Sequence, residues 1–156
     1  DIQIMQEWIN APKTRQPMGI RHPFSMPEEY NWLEETIHSD DHMLFFVCVD
    51  GESQPVGNVE LFNIDTKNGR AEIGCWIYEG HRRNGYATAA CELLVEYAFD
   101  ELRLHRIDAV TSRQNTASKE LLENLGFNPE GAAAEAMFLQ GEYIDELHYG
   151  RLATSR

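Results

Sequence analysis

A turn rich in arginine and glycine joins an apolar segment to a long amphipathic helix, and this junction constrains the fold more than any other part of the chain. The apolar segment, GRAEIGCWIY at residues 69–78, is typical of a β-strand. The turn, HRRNG at residues 81–85, leads into YATAACELLVEYAF, whose apolar residues recur at helical spacing. We expect a buried stripe of Ala90, Leu93, Leu94, Tyr97 and Ala98, with Glu92, Glu96 and Asp100 facing solvent.

This turn is predicted to hold a phosphate group. Backbone N–H groups at a helix N-terminus lack partners and carry a partial positive charge, which attracts anions. Gly85 permits a tight turn, Ala87 keeps the first helical turn slim, and Thr88 adds a hydroxyl. Arg82 and Arg83 add positive charge. The turn has neither the GK[ST] of a Walker loop nor GxGxxG, so a pyrophosphate cradle and a surface loop with a capping arginine both stay open.

The rest of the chain predicts helices and hairpins around this junction. They are helices over residues 1–11, 25–39 and 115–127, a strand over residues 105–111, and hairpins over residues 43–64 and 134–152. Ser25 or Met26 caps the second helix, and Pro27 opens it. The hairpins turn at Asp50-Gly51 and at Gln140-Gly141. Along the last helix, we expect Ala117, Leu121, Leu122 and Leu125 to face inward and Gly126 to end it. The pattern predicts one α/β domain over residues 1–156, in which a buried apolar strand opens an antiparallel first half.

The formal net charge of −13 excludes one class of partner. A phosphate backbone needs a basic face, so no nucleic-acid partner is expected. The 26 acidic residues, against 3 lysines and 10 arginines, fit either a cationic substrate drawn to an acidic surface or the lysine-poor surface of a halophile. We favour the halophile because the carboxylates are spread over the whole chain.

Cysteine, histidine and hydropathy patterns indicate which kinds of disulfide, metal site and membrane segment to expect. Cys48, Cys75 and Cys91 lie in apolar segments without a CxxC spacing, so we expect buried free thiols. His38 and His42 are four residues apart, but HSDDH is typical of a loop and no metal site is expected. No apolar run reaches membrane-spanning length and no signal-peptide pattern is found, so we expect a cytoplasmic protein without a membrane partner. The chain opens at Asp1 rather than at a methionine, and we expect native residues upstream.

Two longer segments carry a family resemblance. RAEIGCWIYEGHRRNGYATAACELL at residues 70–94 and NTASKELLENLGFNPEG at residues 115–131 resemble the GNAT N-acetyltransferases. Within that superfamily the chain is similar to the RimJ/RimL group of ribosomal-protein N-terminal acetyltransferases, and also to spermidine acetyltransferases. The family motif Q/R-x-x-G-x-G/A falls on Arg82, Gly85 and Ala87, and its N-x-x-S/A segment on Asn115 and Ser118. GEYIDELHYGRL matches the last hairpin of the group, so the resemblance spans about residues 47–152.

The resemblance implies the GNAT fold, an α/β (α+β) arrangement in which helices flank a mixed central sheet and acetyl-CoA binds at the splayed central strands. The family has a first strand before the helix that opens this chain, so that strand is expected upstream, or the sheet is completed differently. The residues expected to bind acetyl-CoA are Ile77 and Tyr78 through their backbone, Arg82, Arg83, Asn84, Gly85, Ala87, Thr88 and Asn115.

The resemblance also implies direct acetyl transfer from acetyl-CoA to an amine, without a metal or a covalent enzyme intermediate. Glu72 is the first candidate for the base, because it matches the general base of histone-acetylating members; a structural ion pair with an arginine is the alternative. By alternation Glu72 shares a strand face with Gly74, Trp76 and Tyr78. Glu60 on the neighbouring strand is a second candidate that would orient the acceptor amine.

Ser118 is the candidate acid that protonates the departing thiolate, because RimL-like members use a serine there. A serine at this place in a helix is also an ordinary capping partner. Leu122 stands where other members carry a tyrosine acid, and Met137 where some RimL-like members carry a glutamate.

The predicted function is an N-acetyltransferase that acts on a protein N-terminal α-amine. Polyamine or other small-amine acetylation is the alternative enzyme, and a non-catalytic acyl-CoA-binding module is the alternative of another class. Trp32, with Tyr30 and Phe24, would line the acceptor pocket, although such aromatics are core residues by default. The resemblance also makes a homodimer the expected assembly.

Overall fold

The computed structural model describes residues 2–15, 20 and 22–155, which form a six-stranded mixed sheet flanked by helices. The strands are β1 (Met43–Val47), β2 (Gly57–Asp65), β3 (Arg70–Ile77), β4 (Arg106–Ser112), β5 (Asn128–Leu139) and β6 (Glu142–Leu152). The helices are α1 (Ile2–Asn10), α2 (Pro12–Arg15), α3 (Met26–Ile37), α4 (Tyr86–Asp100) and α5 (Thr116–Asn124), with 3₁₀ turns at Glu79–His81 and Ala153–Ser155. Within these described ranges the sheet order is β1-β2-β3-β4-β6-β5, and only the β3–β4 pair is parallel.

Local sequence signals place the helix starts and the closing turn. Ser25 caps α3: its hydroxyl oxygen accepts from the Glu28 N–H at 3.4 Å, and the Glu28 carboxylate accepts from the Ser25 N–H at 2.7 Å. This donation from Ser25 lowers the pKa of Glu28. At the other end of the chain, Gln140 and Gly141 have φ values of 52° and 87°, which suit a tight two-residue hairpin turn. The predicted α3 helix and the closing hairpin are both confirmed.

The hydrophobic core lies between the sheet and α4. Val59, Leu61, Ala71, Ile73 and Ile107 point from β2, β3 and β4 toward this helix. The buried residues of α4 are Cys91, Leu94, Val95, Ala98 and Phe99.

The predicted stripe of α4 is therefore wrong in part. Leu93 is 69% exposed and Tyr97 is 38% exposed, while Cys91 and Val95 are buried instead. Residues 93–95 are all apolar, so the helical period alone leaves the direction of the stripe open by one residue. Tyr97 instead makes an edge contact with Phe45 at 6.2 Å between ring centroids. Leu122 of α5 and Leu125 at its C-cap are buried as expected, but Ala117 in the first turn of α5 is exposed.

The first strand is also less buried than predicted. β1 lies at the edge of the sheet, where it has a neighbour on one side only, and its Phe45 is 42% exposed. Cys48 directly after it is exposed, which corrects the expectation of three buried thiols. Cys91 is buried, and contact with Cys91 together with burial raises the pKa of the Cys75 thiol well above its usual range. No helix in the described part of the chain is long and apolar enough to cross a membrane.

Gly57 tests the close approach of β2 to β3. A Cβ at this position would lie 2.1 Å from the Trp76 carbonyl oxygen and 2.9 Å from the Ile77 Cα, both in backbone that cannot yield cheaply. We expect Gly57→Ala to lower the free energy of unfolding, measured by urea denaturation, by roughly 3 kcal/mol. Gly51→Ala is the control, because Gly51 has φ +91° and no atom within 4 Å of an added Cβ. Backbone strain alone should cost Gly51→Ala about 1 kcal/mol, and equal losses in the two variants would contradict the predicted clash.

Candidate active site

The two central parallel strands part after three residue pairs. β3 and β4 pair at Arg70–Arg106, Ala71–Ile107 and Glu72–Asp108, and the described register goes no further. Beyond this point β3 continues beside β2, and β4 continues beside β6. The space between residues 73–77 of β3 and residues 109–112 of β4 is called the gap below. Parallel strands end at the same edge of a sheet, so the segments that follow β3 and β4 flank the open end of the gap.

Backbone groups of β3 are directed into the gap. The Tyr78 N–H donates to the Val56 carbonyl at 2.9 Å, which shows that Tyr78 faces β2. Because successive residues in a strand direct their N–H and C=O groups to opposite sides, Cys75 and Ile77 direct theirs toward β4. The Tyr78 carbonyl accepts from the His81 N–H at 2.9 Å, and its ring stacks on Trp8 at 5.1 Å. Of the two residues predicted to offer their backbone, Ile77 is thus directed into the gap, while Tyr78 is engaged within the chain.

The arginine–glycine loop, residues 81–85, leads from the gap into α4. Arg83 and Gly85 have left-handed backbones, with φ of 62° and 80°, and the Asn84 side-chain amide donates to the His81 and Arg82 carbonyls at 3.0 and 3.2 Å. Gly85 is the N-cap of α4 and supplies no side chain to the first helical turn. The first helical bond runs from Ala89 to the Gly85 carbonyl at 3.0 Å. The N–H groups of residues 86–88, which include those of Ala87 and Thr88, therefore precede that bond and face the open side of the loop.

Arg82 has a local structural contact that the sequence does not predict. Its Nε donates to the Ile77 carbonyl at 2.9 Å, and its guanidinium lies over the Trp76 ring at 4.8 Å from the centroid. These contacts fix the loop on the end of β3. Arg83 is exposed beside it.

Asn115 and Ser118 lie on the other side of the open end of the gap, after β4. Asn115 is the N-cap of α5, and its Oδ1 accepts from the Ser118 N–H at 3.0 Å. The capping role that the sequence allows at this helix start is thus taken by Asn115. Ser118 is half-buried one turn into the helix.

Glu72 lies at the closed end of the gap. Its Oε1 accepts a hydrogen bond from the Asn63 side-chain amide at 2.8 Å. The nearby arginines bind another carboxylate: Arg70 Nη2 lies 2.6 Å from Asp108 Oδ2, and Arg106 Nε lies 2.6 Å from Asp108 Oδ1. The structure thus gives Glu72 a neutral partner, in contrast to the ion pair considered as the alternative.

The Arg106 guanidinium also binds Glu130, which joins β5 to the closed end of the gap. Arg106 Nη1 lies 3.0 Å from Glu130 Oε1, and a second contact joins Nη2 to Oε2. This guanidinium holds the pKa of Glu130 below its usual range. Gly150 leaves room for the pair, since an added Cβ would lie 2.5 Å from Arg106 Nη2 and 2.6 Å from Glu130 Oε1.

A pocket of about 290 Å³ opens on the sheet face that carries Glu72. This pocket, called the carboxylate pocket below, is lined by Trp32, Asp41, His42, Glu60, Phe62 and Asn63. The antiparallel register places Glu60 opposite Gly74 and Phe62 opposite Glu72, so these side chains share one face. Trp32 and Glu60, both predicted to contact the acceptor, are brought together here. Tyr30 is 57% exposed on α3 and Phe24 is tied to Asn10, and neither lines this pocket.

Glu60 is held within the carboxylate pocket by a histidine. His42 Nε2 lies 2.6 Å from Glu60 Oε2, and the pair is 19% and 25% exposed. The His42 ring packs between Trp32 at 6.0 Å and Phe62 at 6.1 Å. Glu60 leans over Gly74, where an added Cβ would lie 3.0 Å from its Oε1.

Sequence reasoning missed Asp41, His42, Phe62 and Asn63. The alternation that placed Glu72 on one face of β3, extended to β2, would have found Phe62, because it lies two residues after Glu60. Asp41 and His42 lie in a loop before β1, and no sequence period points to a loop residue. The described residues hold no group of three or more His, Cys, Asp and Glu that could bind a metal ion.

Comparison with known proteins identifies a family and several relatives of this chain. The model of the acetyltransferase (GNAT) domain family matches residues 1–128. The chain is 38% identical over 96 residues to the putative ribosomal N-acetyltransferase YdaF of Bacillus subtilis. The aligned segment covers 62% of this chain and 52% of that protein. It is 31% identical over 110 residues to the spermidine N(1)-acetyltransferase of Escherichia coli K12. Here the aligned segment covers 70% of this chain and 58% of that protein. The match thus spans little more than half the length of these two relatives.

A solved structure shares the whole fold. The crystal structure of spermidine N-acetyltransferase from Vibrio cholerae, in complex with CoA and spermine, superposes with a TM-score of 0.91 at 25% identity. The superposition covers 99% of this chain and 91% of that chain. The expected mixed sheet with flanking helices is thus confirmed, as is its splayed central strand pair.

Gly85 tests whether the arginine–glycine loop holds a phosphate-bearing ligand. A glutamate there would place a carboxylate before the first turn of α4, where it would repel an incoming pyrophosphate. We expect Gly85→Glu to weaken acetyl-CoA binding, measured by calorimetry, by about 100-fold. Gly141→Glu is the matched control, because Gly141 also has a left-handed backbone (φ +87° against +80°) and open space around an added Cβ. Its affinity should equal that of the unchanged protein, whereas an unweakened Gly85→Glu variant would remove the loop from the binding site.

Proposed function

Because the chain belongs to the GNAT acetyltransferase family, we propose that it transfers an acetyl group from acetyl-CoA to a primary amine. The parting of β3 from β4 is the observation that carries this proposal. It creates a gap with an anion-attracting loop at its open end, Glu72 at its closed end and the carboxylate pocket on the same sheet face as Glu72. A thioester donor and an amine acceptor thus have separate places that meet near Glu72.

The residues around the gap fit acetyl-CoA. The Ile77 carbonyl already accepts from Arg82, but the Ile77 N–H and the backbone groups of Cys75 have no strand partner on the β4 side. They can pair with the amides of the pantetheine arm as an added strand would. The N–H groups of residues 86–88 and the charge of Arg83 suit the pyrophosphate. We propose that Asn84, Gly85 and Thr88 shape this cradle and that Asn115 lies beside the pantetheine across the gap. When bound, acetyl-CoA supplies the reactive thioester.

Glu72 is proposed to receive the amine proton. A free amine with a pKa near 10 is mostly charged at neutral pH and must lose a proton before it can attack. The hydrogen bond from Asn63 occupies one oxygen of Glu72, and the second oxygen can accept that proton. Backbone N–H groups directed into the gap would stabilise the negative charge that develops on the thioester oxygen.

Ser118 is proposed to protonate the departing thiolate. It is half-buried on the helix that follows β4, so it approaches the gap from the side opposite to the carboxylate pocket, which lies along β2. Leu122 on the same helix is buried in the core and has no group that could do so.

The acceptor is proposed to bind as a cation in the carboxylate pocket. Glu60 and Asp41 supply negative charge, and the rings of Trp32 and Phe62 suit the face of an alkylammonium ion. A polyamine carries several such charges along one apolar chain, so this pocket favours a polyamine or a similar small polycation. The spermine-bound Vibrio cholerae structure with the same fold supports this choice.

A protein N-terminal α-amine is the second candidate, and it is the one that the RimJ/RimL resemblance favours. The 38% identity to the putative ribosomal N-acetyltransferase YdaF supports it. We also propose a single domain, a cytoplasmic location and a homodimer; these rest on the sequence pattern and the family resemblance alone.

An acceptor panel separates these functions. We expect CoA-thiol release from acetyl-CoA with spermidine and spermine at a rate at least about tenfold above that with peptides bearing free N-termini. The reason is that each additional ammonium group can meet a further carboxylate of the pocket. The assay should run at low and molar salt, because a halophilic surface would weaken folding in dilute buffer. Faster release with peptides would select the N-terminal function, and acetyl-CoA binding without release in any lane would select the non-catalytic module.

Glu72→Gln tests the base. The amide has nearly the same shape but cannot take a proton, so turnover should fall mainly at pH values below the pKa of the acceptor amine. A loss of about 100-fold at neutral pH, shrinking as the pH approaches 10, is expected for a general base. The measurement is the pH–rate profile of both proteins with the best acceptor of the panel. A parallel profile, lowered equally at every pH or unchanged, would remove Glu72 from this role.

A further inference from the structure

We propose that Asn63 is the positioning residue for Glu72: a β-bulge turns its side chain onto the pocket face, where its amide holds the Glu72 carboxylate in place for the acceptor. The inference rests on the proposed function, in which Glu72 receives the amine proton. It adds a residue of β2 that neither the sequence pattern nor the family resemblance marks.

The backbone of Asn63 departs from that of a regular strand. Its φ is +51°, in the left-handed region that residues other than glycine rarely adopt and that asparagine tolerates best. The pairing of β2 with β3 shifts register between Phe62 and Asp65, which marks a bulge. The next N–H, that of Ile64, donates to the Asp41 carbonyl at 3.0 Å. Asp41 lines the pocket, so the bulge and the pocket wall are tied together.

The bulge decides which face Asn63 occupies. Phe62 lies opposite Glu72 and shares its face, so regular alternation would place Asn63 on the other face, toward α4. The observed side chain instead lines the pocket and reaches Glu72 Oε1 at 2.8 Å. The local strain thus has an identifiable result, which is a hydrogen-bond donor beside the proposed base.

The chemistry of this partner suits a base. The amide donates to one oxygen of Glu72, which fixes the orientation of the carboxylate and leaves the second oxygen for the amine proton. A neutral amide adds no positive charge that would repel an ammonium ion. The contrast lies one strand away, where Arg70 and Arg106 bind Asp108 and leave it as a structural ion pair.

The Asn63→Gly variant distinguishes the effect of the side-chain amide from that of the backbone conformation. Glycine adopts a φ of +51° without strain, so this variant keeps the bulge and loses only the donor. We expect kcat to fall about tenfold with KM changed less than twofold, because a hydrogen bond to a charged group is lost near the reacting atoms. A residue that only shaped the pocket would instead raise KM when it is lost. Asn63→Asp, which keeps the shape but replaces the donor with a negative charge, should lower kcat at least as far as Asn63→Gly.

Gln140→Gly is the matched control, because Gln140 has a φ of +52° and lies in the β5–β6 turn away from the pocket. It should leave kcat and KM unchanged. The proposal is overturned if Asn63→Gly also leaves kcat unchanged, or if it raises KM as much as it lowers kcat, as a residue that only shapes the pocket would.

A second readout does not need turnover. The side-chain ¹⁵N–¹H signals of Asn63 should shift with pH as the Glu72 carboxylate titrates, and this shift should vanish in Glu72→Gln. Signals that do not follow Glu72 would overturn the proposed contact. If no amine is acetylated but the signals do follow Glu72, the contact stands and the proposed function is the part that fails.

Discussion

The structure depends on one short parallel strand pair. β3 and β4 bond over three residues and then separate, each keeping its partner on the far side. Backbone N–H and C=O groups inside a protein are costly to leave without partners. The Ile77 carbonyl is satisfied by Arg82. The Ile77 N–H and the groups of Cys75 that are directed into the gap suit a ligand that carries amides of its own. The helix that follows β3 supplies unpaired N–H groups at the same end, so a single interruption of the sheet prepares two kinds of contact for one extended molecule.

The charges at the closed end of the gap divide two neighbouring carboxylates into different roles. Glu72 and Asp108 are in register on adjacent strands, but Asp108 binds two arginines and Glu72 binds an amide. Arg106 continues to Glu130, which ties β5 to the central strands through a space that only a glycine at position 150 leaves open. The two guanidinium groups are thus engaged by Asp108 and Glu130, while Glu72 bonds to the neutral Asn63 amide. Environments that differ in this way can give two like groups different chemical tasks, and this difference supports the role proposed for Glu72.

The sequence predicts those parts of the site that are encoded by local chemistry. Gly85 with its left-handed backbone, the Ser25–Glu28 cap and the Gln140-Gly141 turn all follow from the conformations that these residues permit. The inward face of α4 does not, because Leu93, Leu94 and Val95 are consecutive and only packing against β2 and β3 decides which are buried. The role of Asn63 cannot be predicted from the sequence for another reason. Alternation assigns its side chain to the core face, and only a bulge, whose position depends on tertiary contacts, places it on the pocket face.

The carboxylate of Glu60 in the pocket lies in a different environment from the carboxylates over the rest of the surface. A net charge of −13 spread along the sequence is a property of solvation and gives no information on a substrate. Glu60 does not belong to that class, because it is 25% exposed, bonded to His42 and placed over Gly74, where any larger residue would crowd it. A half-buried carboxylate is stabilised by a positive charge beside it, and an ammonium group of the proposed acceptor would supply one. The proposed preference for a cation therefore rests on this local arrangement and not on the general acidity of the chain.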